Sequence, residues 1–245
     1  MPILAPVKKL DRTVQPKSSA TKRLVPIKQS LSELTGPVFG HNSVNKIDAD
    51  LTKNAAKNGK EAIGERMILT GSVTDEADRP VPGALIEIWQ TNAAGLYGHK
   101  GDQHDAPADP NFYGTGRCVT DADGQYRFTT IRPGAYPITR LGNRWRPAHI
   151  HYSITGGSFA QRLITQCYFP GDPLQDDDFV FQAVTNKAAR ERLIVKYAPE
   201  HSIMGYAAGY SFDIVLRGRD ATPMEKQRCR NKQHRIPSGR FSTTF

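Results

Sequence analysis

Two histidines one residue apart, His149 and His151 in the run NRWRPAHIH, open the chemical reading of this chain. On a strand, side chains alternate between faces, so both imidazoles would point to one side and could share one metal ion. The neighbours favour a strand: Ile150, Tyr152 and Ile154 suit a pleated surface, and Pro147 suits the first residues of a strand. An arbitrary H-x-H pair is more often a pair of structural hydrogen-bonders than a metal site. Here Arg146 stands three residues before His149, and tyrosines lie on both sides of the pair. No HExxH motif is present, and no cysteine lies nearby at zinc-ligand spacing. Imidazole alone does not choose among zinc, copper, iron and nickel. Phenolate partners would favour a hard, highly charged ion such as ferric iron.

The elements that must position these residues read mostly as strands. From Arg66, residues alternate as expected for a strand through Thr74, and Asp78–Gly83 turns the chain. Ala84 to Gln90 is apolar enough for a buried strand. Asp123-Gly124 is a hairpin signal between Gly116–Thr120 and Gln125–Thr130. His149–Ile154, Gln161–Phe169 and Tyr210–Arg217 complete a mostly β, antiparallel sandwich with long loops and few short helices. One surface helix is expected over Asn186–Tyr197, capped by Thr185 or Asn186. Shorter helical turns are expected at Ser30–Leu34 and near Ala49–Ala56. Residues 1–64 read as an arm with short helices that contacts another subunit, and residues 65–245 as the sandwich that bears the site.

Composition bounds the rest. With 245 residues, 17 prolines and 21 glycines, the chain can form a large, turn-rich core. No apolar run is long enough to span a membrane, and MPILAPVKKL lacks the pattern of a secretory signal. The cysteines, Cys118, Cys167 and Cys229, are few, odd in number and far apart, so no disulfide framework is expected and a cytoplasmic home is. The net charge of +9 is concentrated in Lys8–Lys28 and Lys226–Arg240. Such arms suit an acidic partner subunit better than nucleic acid, since no basic helix or aromatic stacking platform accompanies them.

The runs TNAAGLYGHKGD, GTGRCVTDADGQYRFTTIRPGAYP, NRWRPAHIH and QRLITQCYFPGDPL, in this order, resemble the intradiol ring-cleavage dioxygenases from about Ser30 to Glu225. Within that family they are most similar to the iron-bearing beta subunits that act on protocatechuate. The resemblance implies a mononuclear non-haem Fe(III) held by Tyr97, Tyr136, His149 and His151, with Tyr136 and His151 axial and Tyr97 and His149 equatorial. It implies cleavage of protocatechuate (3,4-dihydroxybenzoate) by O2 to 3-carboxy-cis,cis-muconate, as part of aromatic catabolism. Tyr136 is then the ligand that leaves the metal and takes a proton from the catechol, while Tyr97 stays.

The same resemblance gives Arg146 a charge-stabilising role and places Gln166, Trp89 and Ile138 around the substrate. Each has a structural reading beside it. A lone arginine is commonly one half of a salt bridge, a tryptophan ending a strand is usually core, and an amide in the apolar run RLITQCYF needs a hydrogen-bond partner if buried. Tyr113 competes with Tyr97 only weakly, because its DPNFYGTGR context carries no ligand in the family. His99 reads as a surface or neighbouring residue. The chain departs from the family's protocatechuate pattern in having Ile138 where an aromatic is usual, and no tyrosine before Tyr97. Arg12 or a neighbour falls at the arm position that contacts the substrate carboxylate. A more cationic pocket would suit a 4-sulfocatechol. The family also implies a related alpha subunit, forming an αβ heteromer of higher order. A metal-free sandwich binding module is the non-enzymatic alternative.

Overall fold

Strand β1, Arg66–Thr74, is the spine of the first sheet. Its alternation sends Met67, Leu69 and Val73 into the main core. The computed structural model describes residues 44–57, 59–99, 102, 104–138, 144–156 and 162–225. Arg12, the Ser30–Leu34 turn, Cys229 and both basic arms lie outside these residues.

Along one edge, β1 pairs antiparallel with β4, Gln125–Ile131, from Arg66↔Ile131 to Ser72↔Gln125. Its other edge takes two parallel partners in succession, β10 (Ala208–Ser211) and β11 (Ile214–Val215). Strand β9, Lys196–Tyr197, closes this sheet against β10. The second sheet has the order β3-β2-β7-β8 and is antiparallel throughout. Its strands are β2 (Leu85–Trp89), β3 (Thr115–Val119), β7 (His149–Thr155) and β8 (Arg162–Tyr168). A two-residue ribbon, β5 (Tyr136–Pro137) with β6 (Trp145–Arg146), stands apart from both.

The sheets meet face to face. Ile86, Ile88, Ile150, Tyr152 and Ile154 of the second sheet pack with Met67, Leu69, Phe128 and Ile131 of the first. Burying each such side chain contributes roughly 1.5–3 kcal/mol. The Tyr126 hydroxyl donates to the Phe212 carbonyl at 2.6 Å and lies 3.3 Å from the Tyr152 hydroxyl, so the aromatic seam is also hydrogen-bonded. Leu51 and Ala62, from the segment preceding β1, are buried in the same core.

The mostly β sandwich is as expected, with parallel pairing between strands along one edge of β1 and parallel single-residue bridges at Asp50↔Thr129 and Tyr168↔Ile194. Four local expectations are corrected. The Asp123-Gly124 turn forms, with Gly124 N–H donating to Asp121 O at 3.1 Å, but β3 and β4 belong to different sheets, so it is a corner between layers and no hairpin. The strand expected over Tyr210–Arg217 is two strands, interrupted where Asp213 turns its carboxylate onto the backbone and hydroxyl of Ser72. The helix expected over Asn186–Tyr197 stops early. Asn186 caps it by accepting from Ala189 N–H at 3.1 Å, and the helix α2 spans only Lys187–Glu191. Leu193 and Val195 then pair with Tyr168 at the end of β8, and Val195 enters the main core, where its branched side chain suits extended backbone. Finally, residues near Ala49–Ala56 form a 3-10 turn, Lys46–Ala49, followed by turns. A second short helix, α1 (Phe179–Gln182), follows β8.

Cys118 and Cys167 are free, and burial pushes both thiols up to about 12, which leaves them poor nucleophiles. Among the described residues no helix is long and apolar enough to cross a membrane.

The loop after β1 is tied by Asp75. Its carboxylate accepts from the backbone of Ala77 (2.9 Å) and Arg79 (3.1 Å) and from the Arg79 guanidinium (2.9 Å). The Arg79 side chain first, then these N–H groups, lowers its pKa from 3.8 to about 2. A depressed folded-state value means the contribution is intact above about 3.8 and is lost as pH falls through about 2. Unfolding followed from pH 5 to 2 should show this acid loss in the wild type, and Asp75→Asn should flatten it. An identical acid limb in both proteins would disprove the assignment.

Candidate metal centre

The strand period brings the histidines together, as the sequence predicts. Ile150, Tyr152 and Ile154 of β7 face the core, so His149 and His151 face the other way. They are nonetheless buried, because loops cover that end of the sheet. The two Nε2 atoms are 3.2 Å apart, and His151 Nε2 is 3.1 Å from the Tyr97 hydroxyl. Tyr136 completes the group: its ring centroid lies 5.4 Å from that of Tyr97 and 5.6 Å from that of His149.

The tyrosines come from two loops that interlock through their backbones. Asn92 organises the first. Its side-chain carbonyl accepts from Ala94 N–H (2.9 Å) and Leu96 N–H (3.0 Å), and its backbone carbonyl accepts from Gly134 of the second loop at 2.9 Å. Thr91 adds a hydroxyl bond to Gly134 O at 2.8 Å. Asp102 accepts from the backbone N–H of Tyr97 at 3.0 Å. At the contact there is no room for side chains. A Cβ on Gly134 would lie 2.5 Å from Gly95 N and 2.6 Å from Ala93 O, and one on Gly95 would lie 2.1 Å from Ala135 O. Gly95 also has φ +85°, a conformation glycine adopts without strain.

The ring nitrogens are set for donation. His149 Nδ1 is 2.7 Å from Pro147 O, a contact that requires Nδ1–H and leaves a lone pair on Nε2. Burial, then the Arg146 charge and His151, holds the His149 imidazole well below its usual value, hence neutral. Burial also lowers His151, with Glu225 opposing it. Burial pushes the Tyr97 phenol upward, reinforced by Tyr136 and opposed by the Arg146 cation. The metal-free phenol therefore keeps its proton, and a cation strong enough to displace it is required for ligation.

These residues fit a single ion. Donors bonded at about 2 Å and roughly at right angles to one centre sit about 3 Å apart, which is the observed spacing of the two imidazoles and one phenol. The lone pair on His149 Nε2 can accept a hydrogen bond from His151 Nε2 at 3.2 Å in the metal-free chain, or the two nitrogens can share a cation. Among the described residues no three His, Cys, Asp or Glu side chains converge on a metal position. The candidate donor set is half phenolic, and that composition favours a hard trivalent cation.

A second layer of side chains surrounds the donors. Strand register places Trp89 opposite His151, Gln166 opposite His151 on the other side, and Tyr168 opposite His149. Trp89 stacks on His151 with centroids 4.8 Å apart and planes 4° from parallel, so this tryptophan is a support for a ring nitrogen donor rather than part of the main core. Arg146 lies opposite Tyr136 in the small ribbon. Its Nε and Nη2 reach the Asp178 carboxylate at 3.2 and 3.0 Å, and Nη2 also reaches Gln166 Oε1 (2.7 Å) and the Tyr168 hydroxyl (3.1 Å). Burial works against the Arg146 charge, but Tyr168, Tyr136 and Asp178 hold it above its ordinary value. Arg146 is therefore salt-bridged, as the structural reading expects, and its charge also acts on Tyr97 and His149.

Ile138 sits half-buried beyond Tyr136, its N–H donating to Arg144 O at 2.7 Å. His99 is exposed and stacks on Tyr97 with centroids 5.5 Å apart. Tyr113 is 59% exposed and takes no part in the cluster. Asp178 and Tyr168 were not singled out in the sequence. Asp178 lies in an acidic run after a loop, and only the 32-residue return to Arg146 gives it meaning.

The dioxygenase family's sequence model matches residues 34–218, a span that includes all four candidate donors. The chain is 56% identical over 210 residues to the protocatechuate 3,4-dioxygenase beta chain of Burkholderia cepacia, covering 86% of this chain and 88% of that one. It is 40% identical over 128 residues to a chlorocatechol 1,2-dioxygenase of Rhodococcus opacus, covering 47% of this chain and about half, 48%, of that enzyme's length. Among solved structures, the 3-chlorocatechol 1,2-dioxygenase of Rhodococcus opacus superposes with a TM-score of 0.53 at 24% identity, over 71% of this chain and 66% of that one, a likeness of fold.

Two substitutions test this architecture. Gly134→Ala should cost about 1–3 kcal/mol through overpacking against backbone and should pull the two tyrosine loops apart. Denaturant unfolding would measure it, and wild-type stability would refute the close-contact account. Asp178→Ala leaves Arg146, only 7% exposed, without its counter-ion. The expected loss is about 3–5 kcal/mol, and a loss under about 1 kcal/mol would mean the pair is solvated.

Proposed function

The chain belongs to the dioxygenase family, and on that premise we propose that it is the iron-bearing subunit of an intradiol dioxygenase acting on protocatechuate. The product is 3-carboxy-cis,cis-muconate. The observation that carries this reading is the meeting of two phenols and two imidazoles at one point, inside a chain 56% identical to a protocatechuate 3,4-dioxygenase beta chain. The likeness to a named beta chain supports a related alpha subunit as partner. The metal-free binding module is disfavoured, because the relatives described above are ring-cleaving enzymes by name.

Tyr97, Tyr136, His149 and His151 would hold ferric iron. Bound there, the ion would supply a Lewis acid that binds a catechol dianion and makes its ring open to attack by O2, with no external reductant.

The protein's own residues then have distinct tasks. Tyr136 accepts one catechol proton, and its place on a two-residue ribbon outside the main sheets suits a side chain that must move. Tyr97 is held by the Asn92 loop and Asp102 and stays in place. Arg146 presents a fixed cation, oriented by Asp178 and Gln166, to negative charge that develops as the ring is attacked. A preorganised charge in a buried site stabilises such a state without reorganisation. Trp89 keeps the His151 ring in one plane. Ile138 and, at the arm, Arg12 would border the 4-substituent.

The purified protein should be reddish, with broad visible absorption from tyrosinate-to-iron charge transfer. Tyr97→Phe and Tyr136→Phe should each alter that band, and His149→Ala should lose the metal. Stoichiometric zinc in the purified protein would overturn the reading. Turnover of 4-sulfocatechol with none of protocatechuate would keep the reaction and replace the substrate.

A further inference from the structure

Two buried polar atoms beside the donors lack what they need. His151 Nδ1 and Gln166 Nε2 are both buried without a hydrogen-bond partner. Buried polar atoms are rarely left unpaired, and two in one place point to a shared partner. Beside them the half-buried Glu225 carboxylate stands 3.6 Å from His151 Nδ1, beyond hydrogen-bond length. Glu225, Gln166 and Tyr168 line one cavity. The Glu225 side chain thus faces both the His151 ring and the Gln166 amide.

The segment that delivers Glu225 is fixed. Its N–H donates to Ile164 O at 2.8 Å, Thr165 Oγ1 donates to Pro223 O at 2.7 Å, and Thr222 N–H donates to Val215 O at 2.9 Å. The backbone therefore runs beside β8, and a side-chain rotation is enough to bring the carboxylate into contact.

We propose that Glu225 is a positioning residue of the metal centre, accepting the Nδ1–H of His151 and an amide N–H of Gln166. The inference rests on the reading that His151 is a metal ligand. By fixing the proton on Nδ1, Glu225 turns the Nε2 lone pair toward Tyr97 and raises the basicity of that nitrogen. By holding the amide N–H, it fixes the Gln166 carbonyl toward Arg146. One carboxylate thus ties the ligand shell to the cation.

The test compares the full, co-purified assembly carrying wild type, Glu225→Ala or Glu225→Gln, with Met224→Ala as a neighbouring exposed control. Loss of ferric iron to a chelator should be about 10–100-fold faster in Glu225→Ala, intermediate in Glu225→Gln, whose carbonyl can still accept, and unchanged in Met224→Ala. The metal-free melting temperature should change little. Ring-15N-labelled histidine in the metal-free assembly should show His151 as the Nδ1–H tautomer in wild type and a mixture in Glu225→Ala. Wild-type iron retention together with an unchanged tautomer in Glu225→Ala would overturn the proposal, as would a fall in melting temperature that accounts for the whole metal loss. If wild type binds no iron, the proposed function fails, and the tautomer measurement still decides the role of Glu225.

Discussion

The tyrosines reach the histidines because two loops touch at bare backbone. Gly95 and Gly134 let main chain lie on main chain, at separations where any Cβ would collide with a carbonyl or an amide. Everything chemical depends on that approach. The histidines are placed by a strand that would form in many sandwiches, but Tyr97 lies on a loop and Tyr136 on a two-residue strand, too short for a period to position it. Asn92 supplies the missing regularity by satisfying the backbone of its own loop and accepting from the other. A backbone-to-backbone contact of this kind is stiff, since it has no rotamers to adjust.

A second constraint is the buried charge network. Taking an arginine and an aspartate out of water costs several kcal/mol per ion, and the mutual attraction only roughly offsets it. A hydrophobic pair at 146 and 178 could serve the core equally well. What it could not provide is a cation of fixed direction beside two phenols and two imidazoles. The bonds described use Nε and Nη2, and they hold the guanidinium plane from the side away from solvent. Tyr168, whose hydroxyl meets Arg146, packs with Phe181 and Leu193 in a small separate core.

Much of this was legible in the chain before any coordinates. The pairing of His149 with His151 follows from the two-residue period of a strand, and β1, β2, β4, β7 and β8 lie within a residue or two of their expected bounds. The tyrosines were legible only through family likeness, because a loop carries no periodicity that says where a side chain will point. Asp178 and Glu225 escaped for a related reason. Their partners lie far away in sequence, and an acidic residue in a polar run carries no local mark of burial. The overlong helix and the false hairpin show the complementary error. Local propensity favoured helix through Val195 and a hairpin at Asp123-Gly124, and tertiary pairing overrode both: Val195 was drawn into the core, and β3 and β4 were drawn to opposite sheets.

The parallel neighbours of β1 have a consequence for how the molecule is assembled in time. Thr70 meets Tyr210 across a separation of 140 residues. At ribosomal speeds of about 5–20 residues per second, that interval is on the order of ten seconds. During it the spine strand has one edge without its eventual partners, and such an edge is a template for wrong pairing. Loop closure over such distances also slows folding. The nascent chain thus passes through a window in which its spine strand is half clothed, and shielding that edge during synthesis bears on how much of the chain folds correctly.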